Sequence, residues 1–320
     1  MALPSIAIPL VAKGQANTSS HTSALTVTLL GTGTPIPRPD RFGPSVLVEA
    51  GGQRLLFDCG RGVPIRLTQA HVPMGQLTAV FLTHLHSDHV VGLPDLWLTG
   101  WLANPQFGHR THAMRLYGPH GTAAMVSALR AAFAADLRIR AADEKLPLAG
   151  AQIVTREIDQ GVVYDSGGVK VTAFTVDHGR YIKPAFGYRI DYAGHTVVLS
   201  GDTRPFENLI RFAQGADLLV HEVAMGKAQD AATSAALQRV LAHHTSPEQA
   251  GRIFARVRPK LAVYTHIVLS SYDPALGPPT VADLIAATRS TYQGPLQVGE
   301  DLMRFDVGDS VSVHSFAEHP

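Results

Sequence analysis

Within the seven residues Thr83-His84-Leu85-His86-Ser87-Asp88-His89, three imidazoles and one carboxylate stand close enough to serve a pair of metal ions. Imidazole with carboxylate suits zinc, and by the same ligand chemistry manganese or iron. On a loop, His84 and His86 can turn to one cation while Asp88 and His89 turn to a neighbour. A merely solvated loop has no need of so many ligand-type side chains. The pattern points to hydrolysis at a two-metal site, whereas a Glu in place of His86 would point to a diiron oxidoreductase.

Such ligands need a rigid mount. Ala79-Val80-Phe81-Leu82, directly before the motif, reads as a buried strand, so the ligands fall on the loop at its C-terminal end. Three further strands are expected. Val169 to Val176 alternates and runs into Asp177-His178-Gly179; Thr196-Val197-Val198-Leu199 leads into Ser200-Gly201-Asp202-Thr203-Arg204-Pro205; Leu261 to Tyr264 leads into Thr265-His266. The Ala-rich, periodic stretches Thr122 to Ala135, Ala228 to Leu241 and Pro279 to Thr291 suit helices covering sheet faces. The charged segment Arg138 to Lys145 reads as a solvated connection.

The histidine motif resembles that of the metallo-β-lactamase superfamily. The resemblance implies an α/β fold, the four-layered αβ/βα metallo-β-lactamase sandwich of two mixed β-sheets flanked by helices. It also implies a lone His, a bridging Asp and a late His downstream, each at a strand end. On that pattern His84, His86 and His178 take one metal, Asp88, His89 and His266 the other, and Asp202 bridges the two.

Within the superfamily the chain is similar to the ribonuclease Z-like branch, from about residue 24 to the end. The likeness rests on Leu30-Gly31-Thr32-Gly33-Thr34-Pro35, on Leu55-Leu56-Phe57-Asp58-Cys59-Gly60, on Ser200 to Pro205, on His221-Glu222 and on His244-Thr245-Ser246. The last stands where the branch carries His-Ser-Thr, 22 residues before the final ligand, with Thr and Ser exchanged. Asp58 is expected to organise the metal loop rather than to bind metal. His244 becomes the candidate general acid, its other ring nitrogen held by Glu222, with His243 as the rival one residue away. Thr245-Ser246-Pro247-Glu248 reads at the same time as a helix N-cap with Pro at the first position.

The tRNA-processing members of the branch carry a long Gly- and Pro-rich arm between the lone His and the bridging Asp. Here Phe186 to Tyr192 and His195 to Leu199 read as a plain hairpin in that interval. Basic and acidic residues number 27 and 26, a net charge of +1, with no cluster dense enough to track phosphates. These features set nucleic acid aside as a partner and favour a small-molecule ester. The expectation is a zinc-dependent hydrolase of small sulfate or phosphate esters, arylsulfatase- or phosphodiesterase-like. Two Zn2+ ions (or Mn2+ or Fe2+) would lower the pKa of a bridging water, and Asp88 would orient the resulting hydroxide. The alternatives are a tRNA 3′-processing endoribonuclease and a lactonase or β-lactamase-like hydrolase.

The segment after the metal loop holds both tryptophans. Trp101 and Phe107 are candidates for an aromatic wall against the substrate, whereas Trp97 reads as a buried helix position. His71, His109, His112, His120, His195, His314 and His319 fit no ligand pattern. With ligands running from 84 to 266, residues 24–320 are expected to form a single hydrolase domain. Residues 1–23 read as an N-terminal extension or the remnant of an export signal; the signal reading favours a periplasmic or secreted protein, with a cytoplasmic one as the alternative. No run is long enough to span a bilayer, the lone Cys59 excludes an internal disulfide, and the family likeness implies a homodimer.

Overall fold

The computed structural model describes residues 24–316. The expected N-terminal extension or signal remnant lies outside them. Strands β1 (Leu25–Gly31), β2 (Ser45–Ala50), β3 (Gln53–Phe57), β4 (Ala79–Phe81), β5 (Met114–Gly118) and β6 (Ile153–Glu157) make most of one sheet. A second sheet is built from β7 (Gly161–Ser166), β8 (Val169–Thr175), β9 (Phe186–Tyr192), β10 (His195–Leu199), β11 (Leu218–Gly226), β12 (Leu261–Ser270) and β13 (Leu296–Val298). The chain then returns to the first sheet with β14 (Arg304–Val307) and β15 (Val311–His314). The sheet orders are β15-β14-β1-β2-β3-β4-β5-β6 and β13-β12-β11-β10-β9-β8-β7.

Both sheets are mixed. Strands β3 to β6 run parallel, as do β10 to β13, and the remaining pairs are antiparallel. Parallel strands buried on both faces read as continuous apolar runs, and Ala79-Val80-Phe81 and Leu218-Leu219-Val220 have that character. Successive side chains then part to opposite layers. Phe57 and Phe81 point between the sheets with Tyr188, Val220 and Val263. Leu56, Val80 and Leu82 point outward beneath the helices Val63–Gln69 and Leu93–Thr99. On the far side, Leu219, Ala262 and Tyr264 pack under Leu209, Phe254 and Leu284 from three other helices. The result is the expected four-layered αβ/βα sandwich.

The metal loop stands on this core. Rings of Phe57, Phe81 and Tyr117 stack with centroids 5.0 and 4.8 Å apart. Above them Tyr188 of β9 donates its hydroxyl to Leu82 O at 2.6 Å, and Phe186 N donates to Thr83 O at 2.9 Å, so the second sheet grips the end of β4. The segment without an arm is a hairpin as expected: Tyr192 pairs with His195 across Ala193 and Gly194, both at positive φ, the backbone of a tight two-residue turn.

Two local expectations need correction. Arg138 to Lys145 is not a connection, because the helix Ala134–Asp143 runs through it. Arg140 pairs with Asp136 and Glu144 one turn either way, which lets a polar segment stay helical. Ala228 to Leu241 is two helices, Ala228–Thr233 and Ala235–Leu241, parted at Ser234, whose side chain caps the second by accepting from Leu237 N.

Candidate metal centre

His84 and His86 lie on the loop after β4, and Asp88 and His89 on the short helix Ser87–Val90 that follows. One buried carboxylate fixes this loop. Asp58 Oδ1 accepts Thr83 N at 2.8 Å, and Oδ2 accepts Thr83 Oγ1 at 2.8 Å and His89 Nδ1 at 2.7 Å. That agrees with the organising role expected of Asp58. His178 follows the end of β8, and its Nδ1 donates to His243 O at 3.0 Å. Asp202 follows β10 through Gly201, at φ +59, where a Cβ would come within 2.4 Å of Phe186 O. Glycine is therefore demanded beside this carboxylate. His266 sits in β12 where the pairing with β11 slips between Glu222 and Val223, and it adopts φ +42. Such a bulge re-aims a side chain at a sheet edge.

The structure brings all seven expected ligands together. Asp202 Oδ2 lies 4.0 Å from His84 Nε2, 3.6 Å from His178 Nε2, 3.4 Å from His89 Nε2 and 3.3 Å from His266 Nε2. His86 Nδ1 is 2.9 Å from His84 Nε2 and 3.2 Å from His178 Nε2. Asp88 Oδ2 is 3.2 Å from His266 Nε2 and 3.6 Å from His89 Nε2. Two donors ~2.0 Å from one tetrahedral ion stand ~3.3 Å apart, so these separations suit two ions. His84, His86 and His178 form one group, and Asp88, His89 and His266 a second, with Asp202 reaching both.

The donor chemistry fits the same reading. His89 Nε2 is buried without a hydrogen-bond partner among the described residues while its Nδ1–H is committed to Asp58, so Nε2 is the ring atom at which a cation would replace the proton. Burial, and then the neighbouring His89, push the His84 imidazole well below its ordinary pKa against the pull of Asp202. Burial likewise brings His178 down to about 4, again with Asp202 opposing. Both are thus neutral, as a ligand must be. At His89 burial is overcome by Asp202 and Asp58, which hold a positive charge on the ring. A cation at Nε2 satisfies the same two carboxylates.

Behind the cluster lies a small cavity of about 40 Å3 lined by Ser45, Thr265 and His266 among others. Ser45 Oγ, Thr265 Oγ1 and His266 Nδ1 are buried and have no hydrogen-bond partner among the described residues. Three polar partners around that volume are enough for a bridging water.

In front, a pocket of about 280 Å3 is floored by His86, Asp88, His178, Asp202 and His266. His243 and His244 stand on one side, Thr34, Pro35 and Ile36 on another, and Val240, Val268, Ser270 and Tyr272 complete the wall. His244 Nδ1 donates to Glu222 Oε2 at 3.0 Å, while Glu222 Oε1 accepts Thr245 N at 2.9 Å. Burial alone would lower the His244 pKa; the charge and hydrogen bond of Glu222, with Asp202, outweigh it and lift the group to about 9. His243, the rival, lines the rim, where burial and then His244 lower its pKa. Ser246 caps the helix Pro247–Val257 in a capping box with Gln249, as the motif implied.

The aromatic wall expected from Trp101 and Phe107 is not there. Trp101 is fully buried against Leu146 and Ala151, its Nε1 donating to Pro147 O at 2.8 Å. Phe107 packs partly buried on the core beneath the first sheet. Neither lines the pocket, because the turn after the helix Leu93–Thr99 carries both into the protein. The aromatic ring that does face the site, Tyr272, was not among the expected residues. Its signal was position, six residues beyond the last ligand on the same strand's exit. Thr83, which joins Asp58 to the loop, was likewise hidden in plain view beside His84.

The fold and the cluster define a metallohydrolase with a two-metal donor set. Residues 53–267 match the family described as the beta-lactamase superfamily domain. A Ribonuclease Z of Mycobacterium sp. (strain KMS) is 38% identical over 287 residues, which cover 90% of this chain and 98% of that relative. One from Mycobacterium bovis (strain BCG / Pasteur 1173P2) is 40% identical over 286 residues, covering 88% and 98%. Among solved structures, the metallo-beta-lactamase fold protein YhfI from Bacillus subtilis has a TM-score of 0.66 at 21% identity, covering 88% of this chain and 98% of that one. Human tRNase Z, short form, has a TM-score of 0.63 at 24% identity, covering 87% and 98%. The chain belongs to the metallo-β-lactamase superfamily, in its ribonuclease Z-like branch, and is a hydrolase of that family.

One expectation is thereby overturned. Nucleic acid was set aside because the arm and a basic patch were missing from the sequence, yet these relatives are by name enzymes that act on RNA, and the chain matches them over 98% of their length. A missing insertion and a near-zero net charge are weaker indicators than that overall likeness. Among the described residues no helix is long and apolar enough to cross a membrane.

Proposed function

We propose that this chain is an endoribonuclease of the ribonuclease Z kind. It hydrolyses a phosphodiester bond of RNA, with the 3′ side of a tRNA precursor as the first substrate to offer, and it uses two divalent cations, zinc by the chemistry of the ligands. One observation carries the reading: the convergence of six ligand side chains and the His244–Glu222 pair around Asp202, in a chain 38% identical to a Ribonuclease Z along nearly that relative's whole length.

His84, His86, His178, Asp88, His89, His266 and Asp202 would hold two cations, which when bound would lower the pKa of a water and place positive charge beside the ester oxygens. Asp88 belongs to that set and also orients the attacking water. As the attacking oxygen, its proton already released to solvent, bonds to phosphorus and the ester P–O bond breaks, His244 gives its proton to the leaving oxygen and is reprotonated from solvent. Glu222 holds the His244 Nδ1–H, which fixes the ring and keeps the positive charge on it until transfer.

A second reading, hydrolysis of small phosphate or sulfate esters, is favoured by the tight β9–β10 hairpin where the tRNA-gripping arm would lie. One experiment separates the two. The zinc-loaded protein is given a tRNA precursor with a 3′ trailer and, in parallel, 4-nitrophenyl sulfate and phosphate esters. Endonucleolytic removal of the trailer, abolished by His86→Ala, is the expected result. An inert precursor together with rapid ester turnover would transfer the assignment to the small esters.

A further inference from the structure

The part of the pocket wall that carries Tyr272 has an unusual construction. Tyr272 is 54% exposed, a large aromatic side chain left at the mouth of the site. The turn that carries it is nonetheless pinned from below. Asp230, almost fully buried, uses one oxygen, Oδ2, to accept Ser271 Oγ at 2.7 Å, Tyr272 N at 2.6 Å and Asp273 N at 3.3 Å. Downstream, Asp273 Oδ1 accepts Ala275 N at 2.8 Å and Lys227 Nζ donates to Leu276 O at 2.5 Å. A buried carboxylate is costly unless it is hydrogen-bonded, and here every bond it makes goes to the three residues centred on Tyr272. The ring's mount is therefore set before any substrate arrives, which lowers the ordering cost of binding to it.

The chemistry of the surrounding wall narrows what Tyr272 meets. Val240 and Val268 present only apolar surface, and among the described residues that line the pocket there is no Lys or Arg. Away from His243 and His244, a group flanking the reacting phosphate meets no cationic side chain among these residues. A flat, uncharged ring laid on the tyrosine face suits such a wall, and every nucleobase has one.

We propose that Tyr272 is a specificity-determining residue: it stacks an unpaired nucleobase next to the scissile phosphate of an RNA substrate, and Asp230 is the positioning residue that presents it. The proposal rests on the ribonuclease reading above. It predicts that the base beside the cut must be single-stranded, and that its identity matters little, because stacking is tolerant of sequence.

The test crosses protein and substrate changes. The zinc-loaded wild type, Tyr272→Ala and Tyr272→Phe are compared on a parent RNA and on two RNAs abasic at one or the other nucleotide flanking the cut. Loss of a stacked base costs about tenfold in kcat/KM, mainly through KM. Tyr272→Ala is expected to show that loss on the parent and none on one of the abasic RNAs, which the wild type already cuts about tenfold more slowly. Tyr272→Phe keeps the parent rate, and metal content is the same in all three proteins. Equal losses by Tyr272→Ala on every RNA, or no loss on any, overturn the stacking role while leaving the ribonuclease reading intact. Failure of the wild type to cut the parent RNA removes that reading, and the stacking role falls with it.

Discussion

The carboxylate of Asp58 accepts the Nδ1–H of His89 across 2.7 Å, and through that contact Asp58 serves the cluster without entering it. The bond fixes the tautomer of His89 and leaves Nε2 aimed at Asp88 and Asp202. Asp58→Asn removes the negative charge but keeps the shape. Metal affinity at the Asp88–His89–His266 group is expected to fall by roughly 10- to 100-fold, the usual cost of losing such a partner. Competition with a chromogenic chelator measures it directly, and an unchanged affinity would show that the loop holds its ligands by other means.

His244→Ala should lower kcat on RNA by about 10² to 10⁴, the range of a positioned proton donor. Metal content should not change. The loss should nearly vanish with a 4-nitrophenyl phosphodiester, because 4-nitrophenolate departs without needing a proton. Glu222→Gln should fall between wild type and His244→Ala, since the amide can still accept Thr245 N while no longer supporting charge on the ring. Equal losses of His244→Ala on good and poor leaving groups would remove the acid role.

The ligand motifs and their strands were legible because metal chemistry fixes residue types and short spacings. The expected strands form as Val169–Thr175 and His195–Leu199, and each ends on its expected ligand loop. What was not legible depends on direction in space. Trp101 and Phe107 stand close to the metal loop in sequence, but a helix and a turn carry them inward, where the Trp101 indole finds Pro147 O. Strand β12 runs on to Ser270, beyond the polar Thr265-His266 that looked like its end, because the bulge at His266 lets pairing with β11 resume. Tyr272 reaches the pocket only by way of that extension and the Asp230 clamp. The mistaken exclusion of RNA had a different cause. Net charge is a sum over the whole chain and the absent insertion concerns one interval of it, and neither reports on the groups that line the pocket.

Thr265→Val tests the cavity behind the metals. The substitution keeps the side chain's shape and removes one of the three polar atoms that surround about 40 Å3 next to His266 Nδ1. If a water links Thr265 Oγ1 to His266, its loss should weaken metal binding several-fold, less than loss of the charged partner Asp58. Thermal stability of the metal-free protein should not fall, because Val fills the same volume and the hydroxyl it replaces makes no direct bond to the described residues that would be lost. Chelator competition on Thr265→Val and Asp58→Asn side by side gives the ranking, and a Thr265→Val protein with wild-type affinity excludes the link.

The Asp230 clamp should show itself in the acid limb of stability. The Ser271 hydroxyl, and then the peptide N–H groups of Tyr272 and Asp273, hold the Asp230 carboxyl below its ordinary value of 3.8. A depressed folded-state value means that the ionised form is the one the fold favours. Its contribution is complete above the unfolded value and disappears as pH falls through the lower folded value. Asp230→Asn removes that contribution at every pH. The Tm difference between wild type and variant should therefore hold steady above about pH 5 and narrow below about pH 4 as the wild-type carboxylate takes up its proton. A gap of constant width down to the lowest pH at which the protein stays folded would mean that the charge on Asp230 does not hold the turn, and that its three contacts are those of a neutral acceptor.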